Sequence, residues 1–234
     1  MRSLASPRPA CHAAGVTSTL DAPLAALAAA SSPDGIAWLR AQLVRIADGD
    51  ERALFLALGM AGRRLGRAQI AAGPVPWSRW SADQAARTLL VLALPSADPP
   101  RWLAVLDRCF HAGTVEELVA LYQALPLLPH PALLAPRAAE GVRSSMTPVF
   151  AAVALDNPFP AAHLSDEAFN QMVLKCFFSG CDSARIVGLD TRRNADLGRM
   201  LAHYARERRI ASRPVDPALP PLARACGADC PDQP

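Results

Sequence analysis

The chain has 234 residues, 51% hydrophobic and 19% charged, with a formal net charge of +3. That composition supports a sizeable core and excludes wholesale disorder. The basic excess is scattered Arg and aromatics make up only 6%, so no nucleic-acid groove or base-stacking platform is indicated. No apolar run reaches the roughly 18 residues of a membrane span.

Residues 1–30 are rich in Ala, Ser and Pro and are expected to form a flexible leader. Asp21 and Pro23 interrupt the apolar stretch that a secretory signal would need, so a cytoplasmic location is expected. A first helix is predicted over residues 34–47, with Ile36, Leu39, Leu43 and Ile46 on one stripe beside Trp38. Asp48-Gly49-Asp50 reads as a turn, with Asp50 as the N-cap of a helix that buries Leu54, Phe55 and Leu58 and ends near Gly66. Residues 73–80 read as a loop. Ser81 and Gln84 have capping-box spacing ahead of Leu89, Leu90 and Leu92. Residues 99–110 put Trp102, Leu103, Leu106 and Phe110 inward. Thr114 and Glu117 form a second capping box before Val115, Leu118, Val119 and Tyr122.

Pro126, Pro129, Pro131 and Pro136 then break the rhythm. Short helices are expected over 137–142 and 147–155. No segment alternates with period two, and the connections are short. The fold class that follows is all-α, an antiparallel array of short helical hairpins resembling an α-α superhelix, with no β-sheet. Residues 31–216 are expected to form one helical domain, and the Pro-rich stretch 217–234 a flexible tail.

The second half holds the polar residues most suggestive of a site. Asn157-Pro158-Phe159-Pro160 reads as a stiff non-helical linker that fixes Asp156 and Asn157. Ser165 caps a following helix, with Asp166 and Glu167 at its positive end. That helix is apolar nearly all round and is interrupted only by Asn170, Gln171 and Lys175, so it is expected to be buried. Lys175 is the single lysine beside 23 arginines. Its ammonium is compact and its pKa shiftable, unlike a guanidinium. Flanked by Leu174 and Cys176, it is expected to snorkel, or to pair with Asp156, Asp182 or Asp190. Unpaired, it would have the lowered pKa of a Schiff-base or general-base lysine. Residues 188–194 read as a tight turn, with Asp190 and Arg193 as a local ion pair or a ligand contact, and Asn194 as the N-cap of the last long helix.

Other chemistry is not indicated. The six cysteines, Cys11, Cys109, Cys176, Cys181, Cys226 and Cys230, lack paired metal-ligand spacing and read as buried or tail thiols. The five histidines lie far apart. Nucleophile elbows, phosphate loops and dinucleotide fingerprints are absent. No metal, cofactor or catalytic residue is assigned.

Asn157-Pro158-Phe159-Pro160, Phe169-Asn170-Gln171-Met172-Val173-Leu174-Lys175, Gly188-Leu189-Asp190 with Arg193-Asn194, and Tyr204-Ala205-Arg206-Glu207-Arg208 together resemble the EboA family. Trp80 with Asp83 and Arg87, and Glu117-Leu118-Val119-Ala120-Leu121-Tyr122, are similar as well. The resemblance covers roughly residues 36–216. It departs from the family at Phe159, where Tyr is usual, and at Phe169 and Arg209, where Trp is usual. It implies an accessory protein of a bacterial gene cluster linked to metabolite traffic, with no catalytic residues to carry over. The implied partners are proteins of the same cluster, including a UbiA-type prenyltransferase, and a small-molecule metabolite. Through such a partner the protein would sit at the periphery of the inner membrane.

Three functions stand open at this point. The first is a non-catalytic accessory protein that binds a metabolite or a partner enzyme. The second is a small-molecule enzyme using Lys175 with Asp156 or Asp190. The third is a helical scaffold without a pocket. Under the first, Asp156, Asn157, Asn170, Gln171, Lys175, Asp190, Arg193 and Asn194 are the binding candidates.

Overall fold

A computed structural model describes residues 13–71 and 79–230. Residues 1–12, most of the expected 73–80 loop and the last four residues of the expected tail lie outside the described residues. Among the described residues the chain forms twelve α-helices and no sheet, with one isolated β-bridge between Gln69 and Ser81. Two compact units divide after Leu121.

The first unit carries α1 (Ala13–Ala30), α2 (Pro33–Ala47), α3 (Glu51–Leu65), α4 (Ala82–Leu92), α5 (Pro99–Ala112) and the start of α6 (Val115–Ala124). Its helix starts follow the local chemistry of the sequence. The Ser32 hydroxyl accepts from the Gly35 N–H and the Asp50 carboxylate from the Ala53 N–H, which satisfies amides that have no partner within the helix. The Ser81 N–H donates to Gln84 at 2.9 Å, and Thr114 and Glu117 close the second box reciprocally. Part of the expected flexible leader is instead α1, which packs on α2 and α4 and buries Leu24 and Leu27. A run of Ala with Leu has high helix propensity and needs only a neighbouring apolar face to dock.

α4 touches α1, α2 and α3 and is buried along nearly its whole length. A helix in that position has no solvent side on which to place charge. It nevertheless carries Asp83 and Arg87, whose side chains are each 5% exposed. The guanidinium Nη1 donates to Asp83 at 2.5 Å, one helical turn away, and its Nε donates to the Leu58 carbonyl of α3 at 3.0 Å. Gly62 of α3 faces this pair, and a Cβ there would lie in ordinary contact with both partners, at 3.7 Å. On the outside, Glu51 at the start of α3 ties Arg101 and Arg108 of α5.

The second unit begins within α6 and includes a 3-10 turn at Leu125–Leu127. It holds α7 (Pro131–Arg143), α8 (Thr147–Ala154), α9 (Phe159–His163), α10 (Asp166–Phe178), α11 (Ala195–Ile210) and α12 (Leu219–Ala225). α7 packs on α8, α9 and α10, and α11 packs on α10 and α12. Three proline expectations are corrected. Pro131 opens α7, and Pro136 lies inside it. Phe159-Pro160, expected to be non-helical, opens α9. Pro220 and Pro221 sit in the first turn of α12, within the expected flexible tail. In each first turn the missing proline N–H would have had no partner in any case, and the fixed φ suits the helix. α12 then buries Leu219 and Ala223 against the unit's core.

Replacing Arg87 with Met should strand a buried carboxylate and lower stability by about 3–5 kcal/mol. Adding Asp83→Leu to that variant should recover much of the loss. Urea unfolding of the single and double variants measures both. Equal stability of Arg87→Met and the parent would mean that the pair is solvated.

Candidate functional site

Lys175 projects from the last turn of α10 toward the end of α7. Its Nζ donates to the carbonyls of Val142 and Ser144, both at 2.7 Å, and lies 4.7 Å from the centroid of the Phe150 ring. The last carbonyls of a helix lack intrahelical donors and carry the negative end of its dipole. A compact ammonium over an aromatic face therefore satisfies α7's end and gains a cation–π contact. Of the two expectations, snorkelling or pairing with Asp156, Asp182 or Asp190, the pairing is not formed: among the described residues Lys175 makes no ion pair, and carbonyls at the end of α7 occupy its head. Burial lowers its pKa from the usual lysine value.

The other residues expected at a site are held in separate local contacts. Asp156 has a left-handed backbone, φ 54°, which Asp tolerates better than most residues. Its carboxylate accepts from Arg185 Nε at 3.0 Å, and its N–H donates to the Arg185 carbonyl at 2.8 Å. Asn157 is 4% exposed and fully occupied. Its amide donates to the Tyr122 and Ala152 carbonyls and its oxygen accepts from the Phe159 N–H, which sets the start of α9.

Asn170 and Asn194 form a reciprocal amide pair, 3.0 Å in each direction. Asn194 also caps α11 by accepting from the Leu197 N–H. The pair thus ties α10 to the first turn of α11. Asp190 and Arg193 form the expected local ion pair at 3.0 Å, on the surface. Gln171 is exposed, one turn from the half-buried Lys175.

Sequence reasoning passed over Arg192 in favour of Arg193. Arg192 donates to the Ala161 and Leu164 carbonyls at the end of α9 and to Asp166 at the start of α10, and it lies over the Phe169 ring. Its partners lie 26 to 31 residues away, so no local pattern announced it.

A concave feature of this unit lies elsewhere, along α11. Arg199, Ala202, His203, Arg206 and Arg209 form one wall of a cleft of about 570 Å³, and residues 227–230 form the other. Steps of four, three and three residues place the four basic side chains on one helix face. Gly198 permits the close approach of the second wall: a Cβ there would lie 2.9 Å from both the Cβ and the carbonyl oxygen of Cys226. Arg224 holds that wall by donating to the Cys230 carbonyl at 2.7 Å. Arg199 pairs with Asp196 and His203 lies 3.6 Å from Glu207, all on exposed side chains. Arg206 is exposed and makes no ion pair among the described residues. Asp229 contributes an opposing charge at the rim. The 199, 203, 206, 209 stripe was the available sequence signal. Without the packing of the final segment it reads as an ordinary solvated face.

A family model described as metabolite traffic protein EboA matches residues 23–223. No curated protein and no solved structure matches the chain.

Lys175→Met leaves the Val142 and Ser144 carbonyls without their donor. The expected loss is about 1–3 kcal/mol, the cost of unsatisfied polar groups, and less than a stranded carboxylate would impose. Lys175→Arg should lose part of this, because a planar fork cannot place two donors over Phe150 as the ammonium does. Denaturant midpoints give the comparison, and a loss near zero for Met would show these bonds to be solvent-replaceable.

Proposed function

This chain belongs to the EboA family, and on that premise we propose that it is a non-catalytic accessory protein of metabolite traffic. It binds an anionic small molecule in the cleft along α11 and passes it to other proteins of the same pathway. The observation that carries this reading is the convergence of Arg199, His203 and Arg206 on one concave surface opposite residues 227–230. Guanidinium groups present planar donors that match a carboxylate or phosphate in two-point geometry. Exposed cations along an open groove also draw an anion in before contact.

The commitments of the other polar residues support a binding role over the Lys175 enzyme. A Schiff-base lysine must present its nitrogen to a carbonyl substrate. Here that nitrogen is occupied by two backbone carbonyls. Asp156 is engaged by Arg185, and Asp190 by Arg193. Among the described residues no helix is long and apolar enough to cross a membrane, which is compatible with a carrier that reaches a membrane enzyme through contact.

The test uses the purified chain and small-molecule extract from a strain lacking it, followed by mass spectrometry of what the protein retains and what it changes. Capture of an anionic compound at one equivalent, unchanged, is the expected result. The Arg199→Ala, Arg206→Ala double variant should bind it at least tenfold more weakly, since each charge-assisted hydrogen bond contributes roughly 1.5–3 kcal/mol. Many turnovers per protein would overturn the non-catalytic reading. Undiminished capture by the double variant would overturn the placement in this cleft.

A further inference from the structure

α10 ends at Phe178 in a six-residue C-terminal cap that spans residues 176–181. Ser179 is helical in φ and ψ, and Gly180 has φ 68°, a conformation that disfavours any side chain. The Gly180 N–H donates to the Phe177 carbonyl at 3.3 Å and the Cys181 N–H to the Cys176 carbonyl at 2.9 Å. This pair of bonds reverses the chain so that the residue three from the helix end meets the second residue beyond the cap. In most such caps two apolar side chains fill that contact. Here both are cysteines.

The two residues also meet through a side chain: the Cys176 Sγ donates to the Cys181 carbonyl oxygen at 3.4 Å. A disulfide spans about 4–7 Å between Cα atoms, a separation compatible with a direct backbone hydrogen bond between the same two residues. Their exposure differs: Cys176 is fully buried, whereas Cys181 is half-buried at the turn.

We propose that Cys176 and Cys181 are a modification site, a dithiol that hydroperoxides convert to an intramolecular disulfide without rearrangement of the fold. Cys181, the accessible thiol, reacts first. Its sulfur attacks the peroxide oxygen, the O–O bond breaks, and the departing alkoxide takes the thiol proton to leave as the alcohol. This gives the sulfenic acid at Cys181. The Cys176 sulfur then attacks the Cys181 sulfur, the S–O bond breaks, and hydroxide leaves with the Cys176 proton as water. Two thiols lose two electrons together, and one hydroperoxide becomes one alcohol and one water.

The order follows from the environments. Burial pushes the Cys176 thiol up to about 12, so little thiolate exists there to meet peroxide directly. Contact with a sulfenic acid already formed beside it supplies the missing reactivity through proximity. The site is independent of the anion cleft, which lies along α11 and contains neither sulfur.

The sequence provides a direct assay, because trypsin cleaves after Lys175 and after Arg185 and releases both cysteines on one peptide. Reduced full-length protein is exposed to tert-butyl hydroperoxide, quenched with an alkylating agent under denaturing conditions and digested. The expected result is a 176–185 peptide that has lost two hydrogen atoms, escapes alkylation and regains both labels after dithiothreitol. Peptides with Cys109, Cys226 and Cys230 should remain alkylated. In Cys181→Ser the Cys176 thiol should stay alkylatable, and this exposed-side substitution leaves the buried residue in place. In Cys176→Ser, Cys181 should stop at a sulfenic acid that a 1,3-dione probe captures. Full alkylation of both cysteines after peroxide, or overoxidation of Cys181 to the sulfinic acid with no disulfide, would overturn the proposal.

Discussion

The constraint on which this structure depends is the supply of hydrogen-bond partners for helix ends. The described chain is built from short helices, and every helix leaves amides at one end and carbonyls at the other without internal partners. Short helices have a large share of such groups, and docking their apolar faces takes the ends out of water. The protein has few polar side chains with which to answer. It places Ser, Asp and Asn at helix starts, and long cations at helix ends. Lys175 serves the end of α7 and Arg192 the end of α9. Arg208 donates to Pro214 after α11, and Arg224 to Cys230 after α12. An orphaned acceptor costs more than an average hydrogen bond contributes, so these few side chains decide whether the apolar faces can meet at all.

That division explains what was legible in the sequence. Helix starts are local events: a cap and its amide lie within three residues. Asp50, Ser81 with Gln84, Thr114 with Glu117, Ser165 and Asn194 were all readable, and all occur. The apolar stripes were readable for the same reason, with Leu39, Leu43 and Ile46 on α2 buried as their spacing requires. Helix ends are answered across 28 to 33 residues by Arg192 and Lys175, and a spacing rule has no view of such distances. Asn157 stood out beside a stiff proline linker and Asn170 as a polar residue on an apolar helix, but neither signal separates a buried structural amide from a ligand contact. Here backbone groups and the opposing Asn194 take up their donors and acceptors.

Proline is the other place where local pattern and fold differ. A count of prolines reads as a break in helical rhythm, yet the cost depends on position. In a first turn proline loses nothing that the helix could have used. Pro131, Pro160 and Pro220 all fall there. The final segment therefore docks on α11 instead of trailing from it, with Gly198 at the close contact. One wall of the cleft belongs to that segment. The cleft could not be read from α11's basic stripe while the residues opposite were taken as a tail.

The same logic separates residues available for chemistry from those that are not. A cation whose donors meet backbone carbonyls is part of the scaffold, whatever its isolation in the sequence suggests, and Lys175 is the clearest case. An exposed cation on the wall of a concavity that makes no ion pair among the described residues keeps its donors for a ligand, and Arg206 is in that position. Rarity made Lys175 conspicuous and abundance hid Arg206 among 23 arginines. The physical criterion reverses that ranking, because recognition requires hydrogen-bonding capacity that the fold has not already spent.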